Sequence, residues 1–297
     1  MWSADCIRPS FPIWMWKFLL NLQRHPTSLR RISPKNNATA AQSSWRDPAT
    51  RFALRSFGPS LRPLRLKSFR AMNILVLGRG KTGSLVVEIA RERGHEVSVL
   101  TGKENPSASA LTSERLSKIN VVLDFTTPEA VLDNIFACIR SRTNIVVGTT
   151  GWYKELDRVR QEVESSGTGL LYSPNFFIGV NILFEAARTA AAALHQGYFG
   201  QIFERHHAQK KDAPSGTALM LGKTIKEASG TELEIISFRE GDVVGMHEVV
   251  LDSPNDTIYL CHDSKSRRGF AEGAVRAAEW LAGKKGFYDF KDVWREL

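Results

Sequence analysis

The chain has 297 residues, enough for two domains, and only three scattered cysteines (Cys6, Cys138, Cys261). That count excludes a disulfide-held fold and points to a reducing compartment. The formal net charge is +9, but residues 1–71 carry 13 Lys/Arg against 2 Asp/Glu, while the other 226 residues carry 27 against 29. The basicity belongs to the leader, which removes the case for a nucleic-acid-binding fold.

The leader, residues 1–71, is rich in Arg, Ser and Pro and has no sustained periodicity. Its apolar run Phe11–Leu20 is short and broken by Lys17, so no membrane span is expected. No small-residue cleavage site follows, which speaks against a secretory signal. Three readings stay open: an organelle transit peptide, a disordered basic tail, or a stretch upstream of the true start at Met72. Trp2, Trp14, Trp16 and Trp45 suit neither of the first two, so the third is favoured. A cytoplasmic protein is expected, or an organellar one if the leader is a transit peptide.

From Met72 the pattern changes. Asn73–Leu77 is a short apolar strand, followed at once by Gly78-Arg79-Gly80-Lys81-Thr82-Gly83 and a helical pattern (Leu85, Val86, Ile89, Ala90) that stops at Gly94. A Gly-x-Gly-x-x-Gly between strand and helix is a dinucleotide fingerprint. The glycines allow a tight turn and close approach of the diphosphate, which sits on the helix start. Glu96–Leu100 is the second strand. The acid that usually follows it to hold the adenosine ribose is displaced: the chain reads Thr101-Gly102-Lys103, with Glu104 just beyond. NADH and NADPH both remain open, and Lys103 suits the extra phosphate of NADPH.

Further strands are expected at Asn120–Phe125, Thr143–Val147 and Gly169–Tyr172, with a helix opening at Thr126-Thr127-Pro128-Glu129. Gly148, Thr149, Thr150 and Gly151, and Ser173, Pro174, Asn175 and Phe176, follow strand ends, where ligands of open α/β sheets bind. Strands alternating with helices imply a Rossmann-like, doubly wound parallel sheet over residues 72–176.

A second, smaller α+β domain is expected over 177–265. It opens with an Ala-rich helix from Gly179 to Leu194, and its strands at Tyr198–Arg205, Glu232–Arg239, His247–Leu251 and Thr257–His262 suit an open, mixed or antiparallel sheet. A closing helix, Ala271–Ala282, and the end of the chain return to the first domain, so 266–297 completes it.

The chain is organised around Glu204–Ala218. Ser215, after Pro214, is a good helix N-cap before Ala218-Leu219-Met220-Leu221. The free amides of Gly216 and Thr217 would then form an anion site. The stretch His206 to Lys210, just before it, supplies groups that can donate or take protons near neutral pH, and Lys211 reads as a solvated charge. The His-His pair has no third metal ligand at useful spacing, so no metal is expected.

These residues resemble the dihydrodipicolinate reductase family, the 4-hydroxy-tetrahydrodipicolinate reductases of the diaminopimelate route to lysine. The resemblance covers about 72–297. It rests on Gly78–Gly83, Asp124-Phe125-Thr126 with Pro128-Glu129, Gly148–Gly151, Pro174-Asn175-Phe176 with Gly179-Val180-Asn181, His206–Ala218, Arg239 with Gly241–Gly245 and His247, and Gly273–Arg276. It implies reduction of a cyclic dicarboxylate with NADH or NADPH. His206 is implied as catalytic acid/base, Lys210 as second proton donor, His207 as a substrate contact, and Gly216 and Thr217 as the carboxylate site. Gly148, Thr149 and Thr150 with Ser173–Phe176 would line the cofactor, and the assembly would be a homotetramer built through the second domain. The chain departs from the family in a shorter Gly loop, the displaced acid, a compact stretch before Arg239, and the leader. Another two-domain NAD(P)-dependent reductase and a non-catalytic dinucleotide-sensing module are the alternatives. Neither needs the His206–Thr217 segment.

Overall fold

The computed structural model describes residues 70–297. The expectations about the leader lie outside the described residues.

Six parallel strands form the first sheet: β1 (Asn73–Leu77), β2 (Glu96–Leu100), β3 (Val121–Asp124), β4 (Asn144–Val147), β5 (Gly169–Tyr172) and β10 (Gly286–Asp289). Their order is β10-β5-β4-β3-β1-β2. The chain runs outward from β1 to β2, then crosses back to β3 on the other side. The direction of winding reverses between β1 and β3, which opens a crevice at their carboxyl ends.

The strands are apolar on both faces because helices cover both. Ile74, Val76, Val121, Leu123, Val146 and Leu171 pack on one side, with α1 (Lys81–Glu92) and α7 (Arg268–Leu281). Leu75, Leu77, Val122, Ile145, Val147 and Leu170 pack on the other, with α3 (Val131–Arg140) and α4 (Leu156–Ser166). A short α2 (Ser113–Leu116) leads into β3. The helix expected from Thr126 starts only at Val131. The Thr126 amide and hydroxyl turn back to the Asp124 carboxylate, at 3.1 and 2.8 Å, and hold that stretch as a loop.

The return after residue 265 does more than pack. α7 lies on the sheet through Ala271, Ala274, Ala277 and Ala278, all fully buried, and Gly286–Asp289 pairs in parallel with Gly169–Tyr172 as an edge strand. At the opposite end from the crevice, Glu279 of α7 is buried. It accepts from Arg93 Nε and Nη2 at 2.7 and 2.6 Å and from His95 Nε2 at 2.9 Å. The Met72 amide donates to His95 Nδ1, which puts the ring proton on Nε2.

The second sheet has the order β7-β6-β8-β9: β6 (Phe199–His206), β7 (Glu234–Arg239), β8 (Met246–Asp252) and β9 (Thr257–Asp263). β6 and β7 are parallel, and the other pairs are antiparallel, so the sheet is mixed. The helix expected over 179–194 begins at Ile178 as α5 (Ile178–Ala190) and tightens to a 3₁₀ turn over Ala191–Gln196. α5, that turn and α6 (Gly216–Ser229) cover one face of the sheet. A short α8 (Phe290–Val293) follows β10. Among the described residues, no helix is long and apolar enough to cross a membrane.

Registers across the covered face explain where chemistry sits. Ile235, Ile202, Val249 and Leu260 form one apolar rung. The next rung toward the end of β6 is Ser237, Glu204, His247 and His262, and beyond it His206 faces Arg239. Alternation thus carries the core outward into a polar floor, next to the start of α6.

Candidate active site

The first half of the site is a cleft of about 290 Å³ at the switch point. It is lined by Gly80–Gly83, Phe125, Thr126, Pro128 and Gly148–Thr150. α1 starts there with no side-chain cap and no acid in its first turn, so its leading amides stay available to an anion. Gly83 must be glycine, because a Cβ would stand 2.3 Å from the Gly78 carbonyl oxygen. A Cβ on Gly148 would stand 2.1 Å from the Phe125 ring, whereas at Gly80 it would meet nothing within 4 Å. The cradle is open where a diphosphate would lie and tight where helix and strand pack, and these residues fit a dinucleotide.

Asp124 holds the cleft's rim. Its buried carboxyl accepts from Thr149 Oγ1 at 2.6 Å and Asn134 Nδ2 at 2.8 Å, besides Thr126. Burial pushes its pKa up, and these donors work against that. The Thr149 hydroxyl also accepts from the Thr126 amide, so its proton and one acceptor site are taken, and Trp152 Nε1 donates to the Thr149 carbonyl. Thr150, Arg79, Gly80 and Lys81 are exposed. The Phe176 side chain is buried among Phe125, Phe270 and Phe290 and faces core.

The displaced acid is not lost. The turn after β2 folds Glu104 back, so that its Oε2 accepts from the Thr101 amide at 2.8 Å and from Thr101 Oγ1 at 2.7 Å. Those two bonds lower its pKa, and Arg79 and Arg115 add to the effect. A carboxylate therefore stands at the carboxyl end of β2, where spacing alone had not placed one.

The second half is the start of α6. Ser215 Oγ caps the helix, accepting from the Ala218 amide at 3.2 Å, and lies 3.1 Å from His247 Nε2. That oxygen thus serves both the helix start and the His247 ring, whose pKa is pushed down to about 4, first by burial and then by His206. Gly216 and Thr217 supply leading amides, and a Cβ on Gly216 would meet nothing within 4 Å. His206 Nδ1 is hydrogen-bonded to Glu204 Oε2. Glu204 Oε1 accepts from Arg239 Nη2 at 2.6 Å and from the Ser215 amide at 3.3 Å. Burial opposes the charge on Glu204, but Arg239, the neighbouring Ser237 and His206 outweigh it and hold its pKa at about 2. Lys210 Nζ is gripped by both Asp212 oxygens, at 2.7 and 2.9 Å. His207 is partly buried, and its Nδ1 has no partner.

The cleft lining includes no residue of 206–217. The link between the halves is the Ser173–Phe176 loop, where Asn175 Nδ2 donates to Thr217 Oγ1 at 3.2 Å. The sequence marks Glu204, Arg239, His247 and Asp124 as motif residues but gives them no role; the fold makes them supports, the first three beneath His206 and Asp124 beneath Thr149. Alternation along β6 was the available signal for Glu204, which is two residues from His206 and therefore on the same face.

Two family models match this chain: Dihydrodipicolinate reductase, N-terminus, over residues 72–176, and Dihydrodipicolinate reductase, C-terminus, over residues 179–294. The chain belongs to the dihydrodipicolinate reductase family. It is 35% identical over 240 residues to 4-hydroxy-tetrahydrodipicolinate reductase of Christiangramia forsetii, covering 76% of this chain and 99% of that one. It is 40% identical over 198 residues to the enzyme of the same name from Ralstonia pickettii, covering 60% and 75%. Among solved structures it resembles a dipicolinate-bound dihydrodipicolinate reductase from Paenisporosarcina sp. TG-14, with a TM-score of 0.64 and 25% identity over 75% of this chain and 100% of that one. The resemblance read from the motifs is thus confirmed, and so is the fold class. The chain is an oxidoreductase of lysine biosynthesis that binds a nicotinamide dinucleotide.

Against the expectation of no metal, the fold brings possible ligand atoms of Glu204, His206 and His247 within 4.8 Å of one another. In this reductase that carboxylate already pairs with the Arg239 guanidinium at 2.6 Å. A cation entering there would meet a fixed positive charge, so the geometry suits an internal hydrogen-bond network better than a metal.

Proposed function

We propose that the site reduces the ring of 4-hydroxy-tetrahydrodipicolinate, a small cyclic dicarboxylate, to tetrahydrodipicolinate. One observation carries this reading: an open, Gly216-led helix start stands next to a histidine and a lysine whose positions are fixed by buried or chelating carboxylates. One substrate carboxylate binds the Gly216 and Thr217 amides, with the Thr217 hydroxyl, and Lys210 and His207 meet the polar groups around the ring. Gly78–Gly83, Gly148–Thr150 and Ser173–Asn175 hold the dinucleotide, Thr149 through its backbone because its hydroxyl is engaged. When bound, the reduced nicotinamide supplies the hydride.

His206 delivers the proton. Burial lowers its pKa in the free protein, with Glu204 acting in the opposite direction. The neutral ring donates Nδ1–H to Glu204 and leaves Nε2 open. A dianionic substrate alongside raises its proton affinity, so the ring is charged when the donor is needed. Lys210 is the second donor, and Asp212 keeps its ammonium in place.

The reading includes NADH as the preferred cofactor, because Glu104 puts negative charge where the ribose lies and disfavours a 2′-phosphate. Arg79 and Lys103 nearby keep NADPH usable. It also includes assembly of copies of the chain through the uncovered face of the second sheet, where Phe199, Phe238 and Tyr259 are exposed. The two free cysteines in the described residues, Cys138 buried and Cys261 exposed, suit cytoplasmic residence.

The test is oxidation of NADH and NADPH by the full chain, with substrate made in situ from pyruvate and aspartate semialdehyde. Substrate-dependent oxidation is expected with both, faster with NADH, and Glu104→Gln should narrow the ratio roughly fivefold. No oxidation by folded protein that still binds NADH would sink the reading in favour of a sensing module.

A further inference from the structure

We propose that Glu204 is the positioning residue of the proton donor, holding His206 as its Nδ1–H tautomer and setting that ring at a fixed place relative to the carboxylate-binding start of α6. The inference rests on the role given to His206 above.

Glu204 is fully buried, and each of its bonds goes to a different element. Oε2 holds His206 at the end of β6. Oε1 holds Arg239 of β7 and the Ser215 amide at the α6 cap. Arg239 Nη2 also donates to the Asp212 carbonyl at 2.6 Å, which fixes the strap that carries Lys210. One carboxylate thus ties together the acid, the anion site and the lysine strap. Proton transfer needs a donor within a few tenths of an ångström of its target, and a ring free to turn would spend most of its time misaligned.

The ring has little other choice. His247 packs edge-on at 5.1 Å between centroids, and a Cβ at Gly245 would be 2.9 Å from His206 Nε2. The charged and titratable groups around His206 are Glu204 on its own strand, Arg239 on β7, His247 on β8, His262 beyond it on β9, and Lys210 with Asp212 on the strap. Of these, Glu204 alone accepts a hydrogen bond from the ring, and Arg239 keeps Glu204 ionised. Removing the carboxylate charge leaves the Arg239 guanidinium without its counter-charge beside the ring, while Lys210 keeps Asp212, and this lowers the ring's proton affinity.

The experiment uses the full chain, Glu204→Gln, Glu204→Asp and, in parallel, His206→Gln. Ring-nitrogen NMR of the wild-type protein across pH should show His206 protonated at Nδ1 when neutral. In Glu204→Gln, the ring should titrate about one pH unit lower and mix tautomers. kcat should fall about a hundredfold with KM within about threefold, and the decline of kcat at high pH should begin lower by a similar amount. NADH affinity should be unchanged, and Glu204→Asp should recover part of kcat. A wild-type ring protonated at Nε2, or a Glu204→Gln enzyme whose pH profile and tautomer do not move, would overturn the proposal. The wild-type NMR decides even if Glu204→Gln does not fold. If His206→Gln keeps full kcat, the acid role fails instead, and the NMR result still judges Glu204 separately.

Discussion

Ser215→Ala tests whether the helix start and the polar floor are one unit. The hydroxyl has two jobs: it accepts from the Ala218 amide and partners His247 Nε2. Losing an N-cap to Ala costs about 1 kcal/mol. Leaving a buried ring nitrogen without a partner costs about 1–3 kcal/mol more, and His247 is only 4% exposed. Ser215→Ala should therefore destabilise by about 2–4 kcal/mol, measured from urea unfolding at neutral pH with the slope unchanged. Ser215→Gly separates the two jobs, since glycine is nearly as good a cap but equally unable to reach His247. It should keep the larger part of the loss. The Glu204 bond uses the Ser215 backbone amide and survives both changes, so kcat should fall less than KM rises, as the α6 start loosens around the substrate carboxylate. Equal, sub-kcal/mol effects of both substitutions would refute the assignment of the hydroxyl to His247.

Two further outcomes follow from buried titratable groups. His247 has its pKa lowered in the fold from an ordinary 6.5 to about 4, so the unfolded chain takes up a proton that the folded one refuses. The stability this gives is complete above pH 6.5 and is lost as pH falls toward 4, by about 3 kcal/mol. Urea midpoints should drop across that window, and His247→Phe should flatten the drop; a flat wild-type profile would contradict the buried neutral ring. Glu279→Gln removes the charge from the Arg93–Glu279–His95 network, where the Glu279 side chain is 2% exposed. Thermal unfolding should report a loss of about 3 kcal/mol, with turnover by the folded fraction unaffected because the network lies at the far end of the sheet.

Much of this molecule is legible in the sequence because the signals are local. Gly78–Gly83 lies between a strand and a helix within a dozen residues, Ser215 announces the helix that it caps, and the apolar runs Asn73–Leu77 and Gly169–Tyr172 match observed strands end for end. Where the pattern misled, a side chain close by in sequence but invisible to periodicity had intervened. Thr126 delays α3 by bonding Asp124, and Glu104 reaches its place through a turn that spacing does not reveal. Gly286–Asp289 escaped notice because four residues of mixed polarity become a strand only when β5 offers an edge.

By itself, then, the sequence determines the two sheets, the dinucleotide loop, the capped helix and the histidine-lysine segment, since each is encoded by residues a few positions apart. Only the tertiary structure decides which supports those groups receive. Arg239 meets Glu204 and His247 meets Ser215 across 35 and 32 positions of chain. Those meetings depend on strand order and register in the second sheet. Register is set by how whole strands bury their apolar faces, so no short stretch of residues carries it.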